Sequence, residues 1–138
     1  IEVQYTSTPL SNSSGIYDIF LYDDSKLLYL DGITDEITVG NDATAILKGG
    51  TVNALTIYHG PNDSCTVTIY CRDGYIKTAS GISGLWANGT SFDIDFLDHY
   101  PYATAGYVDI VIIPEPATLA MLGLGGLLIR RRRRRCKR

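Results

Sequence analysis

Residues 48–76 read KGGTVNALTIYHGPNDSCTVTIYCRDGYI, and the fold turns on this stretch. Leu55-Thr56-Ile57 and Val67-Thr68-Ile69 alternate apolar and hydroxyl side chains, a period of two that fits strands with one dry and one wet face. Between them, Gly60-Pro61-Asn62-Asp63-Ser64 is a run of turn formers. The same texture extends in both directions. Short β-rich runs occupy 16–22, 26–30, 36–39, 45–47, 54–58, 66–70, 91–96 and 107–113, and no helical period of ten residues or more precedes Pro116. The class expected is all-β.

Two all-β arrangements compete. Gly32, Gly50 and Gly74 each sit beside a β-rich run, at intervals of 18 and 24 residues. Such intervals suit one coil each of a short parallel β-helix-like solenoid, in which small residues turn the chain and inward Ile, Val and Leu stack from coil to coil. The alternative is a β-sandwich of hairpins, with residues 60–64 as a connecting turn.

The segment after Ile113 has a different composition. Pro114-Glu115-Pro116 is a stiff boundary, because each ring fixes φ and removes a backbone donor. Residues 117–129 (ATLAMLGLGGLLI) carry no charge, and their apolar members are Ala117, Leu119, Met121, Leu122, Leu124, Leu127, Leu128 and Ile129, with Ala120 and three glycines between. Arg130, Arg131, Arg132, Arg133, Arg134 and Arg135 follow, then Lys137 and Arg138. The expectation is a C-terminal transmembrane helix held by a cytoplasmic arginine anchor, in keeping with the positive-inside rule. Thirteen residues of helix span about 20 Å against a hydrocarbon core of about 30 Å. A span that short suits a transient passenger better than a permanent anchor.

In this order the three parts resemble the PEP-CTERM sorting signal of bacterial exported proteins, whose tails are also catalogued as ice-binding protein C-terminal domains. The resemblance implies that Pro114, Glu115 and Pro116 are the sorting motif, read by exosortase, a membrane enzyme that processes its substrates near this point. It implies a membrane-anchored precursor in contact with the lipid bilayer, then release to the cell surface or the extracellular space. Residues 49–96 also resemble the closing part of repetitive secreted proteins of that kind. There, Gly-Gly-x-Val…Leu-x-Ile repeats build a β-solenoid and a Trp-x-x-Gly-Thr-x-Phe-x-Ile segment ends it; the matching positions are Trp86, Gly89, Thr90, Phe92 and Ile94.

Charge follows the same division. Of the twelve basic residues eight lie at 130–138, so residues 1–129 hold four against fifteen acids, a net −11. A body that acidic repels nucleic acid, and the arginine run directly after an apolar segment reads as a topology anchor rather than a nucleic-acid site. The expected organisation is an exported acidic all-β domain at 1–113, the C-terminal part of a longer precursor because a leader is needed upstream of Ile1, and a sorting tail at 114–138. Cys65 and Cys71 would lie outside the cell, where a disulfide is permitted; the other reading is two half-buried thiols. Cys136 falls on the cytoplasmic side.

Little in the body signals catalysis. His59 and His99 are the only histidines, and both read as exposed loop residues. There is no Gly-x-Ser-x-Gly, no Gly-rich phosphate cradle and no Cys/His cluster. Asp93 and Asp95 share one strand face, with Asp98 close by. They read as a solvated face opposite Phe92, Ile94 and Phe96, against the option of a calcium site or a glycosidase pair. Tyr58 and Tyr70 read as ends of sister strands able to stack as a ladder, and Thr38, Thr56, Thr66 and Thr68 as a sparse hydroxyl array. The expected function is therefore a non-catalytic surface or matrix protein without catalytic residues, metal or cofactor. Its expected partners are exosortase, the bilayer and, as a candidate, exopolysaccharide. The alternatives are a carbohydrate- or ice-binding module and a polysaccharide-cleaving β-helix enzyme.

Overall fold

The computed structural model describes residues 2–6, 17–60, 62–98 and 103–114. Their strands are β1 (Glu2–Thr6), β2 (Tyr17–Leu21), β3 (Lys26–Asp31), β4 (Ile33–Gly40), β5 (Thr44–Leu47), β6 (Thr51–Tyr58), β7 (Thr66–Cys71), β8 (Ile76–Lys77), β9 (Gly81–Leu85), β10 (Ser91–Leu97) and β11 (Val108–Ile112). A 3₁₀ turn, Thr104–Tyr107, precedes β11. The class is all-β, as the alternating runs require.

The strands form two sheets, ordered β1-β3-β5-β7-β11 and β2-β4-β6-β10-β9-β8. From β1 to β7 the chain alternates between them, and each strand pairs in parallel with the strand two places on. The hairpin that the alternative β-sandwich would place at residues 60–64 does not form, because β6 and β7 on either side of it belong to different sheets. The physical reason lies in the inward side chains. Leu55 and Ile57 of β6 and Val67 and Ile69 of β7 are all buried in one core, each strand hydrogen-bonded to an earlier circuit of its own sheet.

One circuit takes eighteen residues where Lys26 pairs with Thr44 and Ile33 with Thr51. The Gly32–Gly50 interval is this circuit. The Thr51 amide donates to the Gly32 carbonyl at 2.7 Å. Gly50 sits at φ +79° with no room for a Cβ, which would come within 2.8 Å of the Gly32 oxygen. The next circuit takes 22 residues, Thr44 to Thr66, the additional four falling in the 59–65 connection. The Gly50–Gly74 interval of 24 is not a circuit at all. Gly74 lies in the turn before β8, in open space, and the chain there leaves the stack for β8 and β9, which run antiparallel beside β10. β10 and β11 then rejoin in parallel, on β6 and β7 respectively, 41 residues after their partners.

Polar side chains repeat the circuit at the corners. Asn41 Nδ2 donates to Asp23 Oδ1 at 2.7 Å and Asn53 Nδ2 to Asp35 Oδ1 at 3.0 Å, each across eighteen residues. Asp42 Oδ1 accepts from both the amide and the hydroxyl of Ser64 at 2.9 Å. Asp23 and Asn41 share a left-handed backbone, φ 56° and 55°, which Asn and Asp tolerate better than other side chains.

The core lies between the sheets and includes Trp86, whose side chain is fully buried. Its indole N–H donates to the Gly50 carbonyl at 2.9 Å, and its ring lies 4.3 Å from that of Phe92. The Trp86 amide donates to Thr90 O, while the Gly89 amide donates to Trp86 O, forming the tight turn into β10. Removing the largest buried side chain in the core should cost about 3–5 kcal/mol. Urea unfolding of Trp86→Ala measures this, and a loss under about 1 kcal/mol would mean that Trp86 carries little of the core's stability.

Candidate functional site

The chain leaves the folded body along β11, and the candidate site is built around that exit. β11 runs parallel to β7 from the pair Val108–Val67 to the pair Ile112–Cys71. One ladder bond follows, Ile113 N–H to Cys71 O at 2.8 Å. Pro114 comes next and is exposed; lacking an N–H, it cannot extend the ladder. The start of β11 is firmly fixed. Val108 is buried, and its carbonyl accepts from Lys77 Nζ at 2.6 Å. Just before it, the Thr104 hydroxyl donates to Leu97 O at 2.8 Å and accepts from the Ile57 amide at 3.2 Å, while Asp98 Oδ1 accepts from the Thr104 amide at 2.9 Å. Thr104 thus takes over pairing of the β6 edge where β10 ends.

Of the expected sorting residues, Pro114 stands at this exit. Glu115, Pro116, the apolar residues 117–129 and the arginines 130–135 lie outside the described residues. So does His99. No helix among the described residues is long and apolar enough to cross a membrane.

Two surface arrays weighed from the sequence are not assembled. Tyr58 belongs to β6 and Tyr70 to β7, on different sheets, so they form no common ladder; Tyr70 instead has Lys48 Nζ 4.7 Å from its ring centre. The four threonines are likewise divided. Thr38 and Thr56 are register neighbours on β4 and β6 and are buried, while Thr66 and Thr68 lie on the other sheet. In their place the outer side of the second sheet carries an aromatic group. Phe20 aligns with Thr38, and Tyr22 follows β2 beside Gly40, which pairs with Tyr58. A Cβ on Gly40 would meet the Tyr22 ring at 2.8 Å, so the missing side chain makes the space that ring occupies. Phe20, Tyr22 and Tyr58 all remain exposed. The signal was present in the sequence as positions 22, 40 and 58, each eighteen apart, but it is legible only once the circuit length is known.

The carboxylates fall where a solvated face puts them. Asp93 and Asp95 point outward from β10, while Phe92, Ile94 and Phe96 point inward. Their register neighbours are Ser83 and Gly81 on β9 and Ala54 on β6. Among the described residues no group of three or more His, Cys, Asp or Glu side chains is placed to hold a metal ion. His59 is half-buried rather than exposed, its ring stacked 4.4 Å from that of Tyr107.

Cys65 and Cys71 are both buried and free. They flank and end one strand, six residues apart, which is about 20 Å of extended chain, against the 4.4–6.8 Å between Cα atoms that a disulfide requires. The permitted bridge is therefore excluded by geometry. Burial raises both thiol pKa values above 9.0, with Asp63 adding to the effect at Cys65 and Asp73 at Cys71. Because folding holds these protons, the associated stability is complete below the unfolded thiol pKa and declines as the pH rises through 9 and above. Thermal unfolding followed from pH 7.5 to 10.5 should show this decline, and a Cys65→Ala/Cys71→Ala variant should show less of it; equal slopes would remove the thiols as its source.

Comparison with known proteins bears on the exit segment. Residues 113–135 match the family model described as the PEP-CTERM protein-sorting motif. Neither the curated proteins nor the solved structures yield a match to the chain. The matched segment begins at Ile113, the residue that makes the last bond of the β11–β7 ladder. Residues 113–135 thus carry the PEP-CTERM protein-sorting motif, and that motif indicates an exported protein targeted to exosortase.

Proposed function

We infer that the chain is a non-catalytic cell-surface or matrix protein, delivered outside by its sorting motif and processed there at the membrane. The observation that carries this reading is the motif at 113–135 starting directly where the body ends. In this reading residues 114–138 are a separate tail. Pro114, Glu115 and Pro116 are the recognition element, residues 117–129 enter the bilayer, and Arg130–Arg135 stop transfer by remaining in the cytoplasm. The acidic body stays outside and is repelled by anionic lipid. Its proposed architecture is a short parallel β-solenoid, supported by the alternation of strands between two sheets and by the eighteen-residue register.

Intact mass of the protein recovered outside cells that carry exosortase tests the delivery. The parent chain should have lost everything beyond about Pro116, the apolar segment and the arginines included, and Glu115→Ala should accumulate as uncut, membrane-bound precursor. Recovery of the parent with its arginines attached would make the tail an anchor and end the processing reading.

A second reading concerns what the body does once outside. The exposed rings of Phe20, Tyr22 and Tyr58 on one sheet face favour stacking against sugar rings, and the acidity of the body favours neutral over acidic polysaccharide. A glycan array should give binding to neutral glycans that a Phe20→Ala/Tyr22→Ala variant loses by roughly tenfold or more, the scale of one lost 1.4 kcal/mol contact. Unchanged binding by that variant, or no binding by the parent, would leave the face without this role.

A further inference from the structure

The sorting motif has no slack between itself and the folded body. Ile113, its first matched residue, is still hydrogen-bonded to Cys71, and Pro114 follows at once. A cleft that encloses Pro114, Glu115 and Pro116 from both sides would therefore meet the edge of β7 within one residue of its ligand. Yet β11 is held unevenly. Its first residue is buried and tied by Lys77, whereas Asp109, Val111 and Ile112 are exposed and Ile110 only half-buried. Among the described residues β11 is the last strand of its sheet, with β7 on one side alone. Backbone bonds with so little apolar burial behind them open locally at low cost.

We propose that the second half of β11 is a releasable strap: residues 110–113 peel from β7 while Val108 stays anchored, and this opening admits exosortase to the sorting motif. The proposal rests on the processing reading above. Release frees four residues, about 13 Å of extended chain, which carries the signal clear of the body without unfolding the core. When opening and closing are fast, the rate of processing follows the fraction of chains in the open state.

Two measurements on the full chain test this. Hydrogen exchange in detergent should find the amides of Val111 and Ile113, whose N–H groups face β7, exchanging roughly tenfold or more faster than that of Ile69; equal protection would overturn the strap. For processing, Tyr70 and Val111 face each other in register, and neighbouring strands lie about 4.8 Å apart, within reach of a disulfide. A Tyr70→Cys/Val111→Cys clamp, in a Cys71→Ala background, should slow appearance of the processed form in pulse–chase by roughly fivefold or more when oxidised. Inserting a flexible Gly-Ser spacer between Ile113 and Pro114 should restore the rate in the clamped chain. Processing of the clamped chain at the parent rate would overturn the gate. If the parent itself is never processed, the sorting reading fails, and the exchange measurement still decides whether the strap opens.

Discussion

Everything in the body depends on the parallel ladder between β4 and β6. Ile33 to Gly40 pairs with Thr51 to Tyr58 at a constant offset of eighteen, and that offset places like on like. Ile37 lies beside Leu55 and Val39 beside Ile57, all fully buried. A slip of one residue would turn this entire row outward, because side chains alternate with a period of two. The corner bonds Asn41–Asp23 and Asn53–Asp35 act against such a slip. They are exposed and each contributes modestly to stability, but a side-chain amide and carboxylate meet only at the right offset. The apolar rows supply the energy, and the corners select the register.

The sequence made the strands legible because their chemistry is local. Val67-Thr68-Ile69 and Phe92-Asp93-Ile94-Asp95-Phe96 each declare a wet and a dry face within a few residues, and both are strands with those faces. What could not be read locally was partnership. The Gly32–Gly50 spacing was a true circuit, and the similar Gly50–Gly74 spacing was not, since only the neighbours in space distinguish a turn that stacks from one that leaves the stack. β9 (Gly81–Leu85) was missed for the opposite reason. Its two glycines give it little strand propensity, and it is a strand because β10 holds it in antiparallel register. Tyr58 and Tyr70 resembled sisters in sequence, yet alternation between sheets separated them. The sorting motif, by contrast, is read as a linear string of stiff, apolar and basic parts, and it was legible without any fold.

The molecule joins two segments of different composition. The body concentrates its apolar atoms between two sheets and faces outward with carboxylates such as Asp93, Asp95 and Asp109. The tail concentrates its apolar residues along the sequence and places its cations beyond them. β11 belongs to both: its first residue is in the core, and the residue after its last is the first of the motif.

The regular offset has one more consequence, for how such a body can change over generations. A duplication of residues 23–40 would add eighteen residues that bring their own corner acid, inward rows and turn, and would present to the next circuit the same surface that the original presents now. Stability in stacked architectures grows roughly by one unit and one interface at a time. In the solenoid proposed above, length is free to vary in whole circuits, while Trp86 and the strand leading to the sorting motif stay as they are. Insertions of other sizes belong at the connections, as the four additional residues of the 22-residue circuit already do.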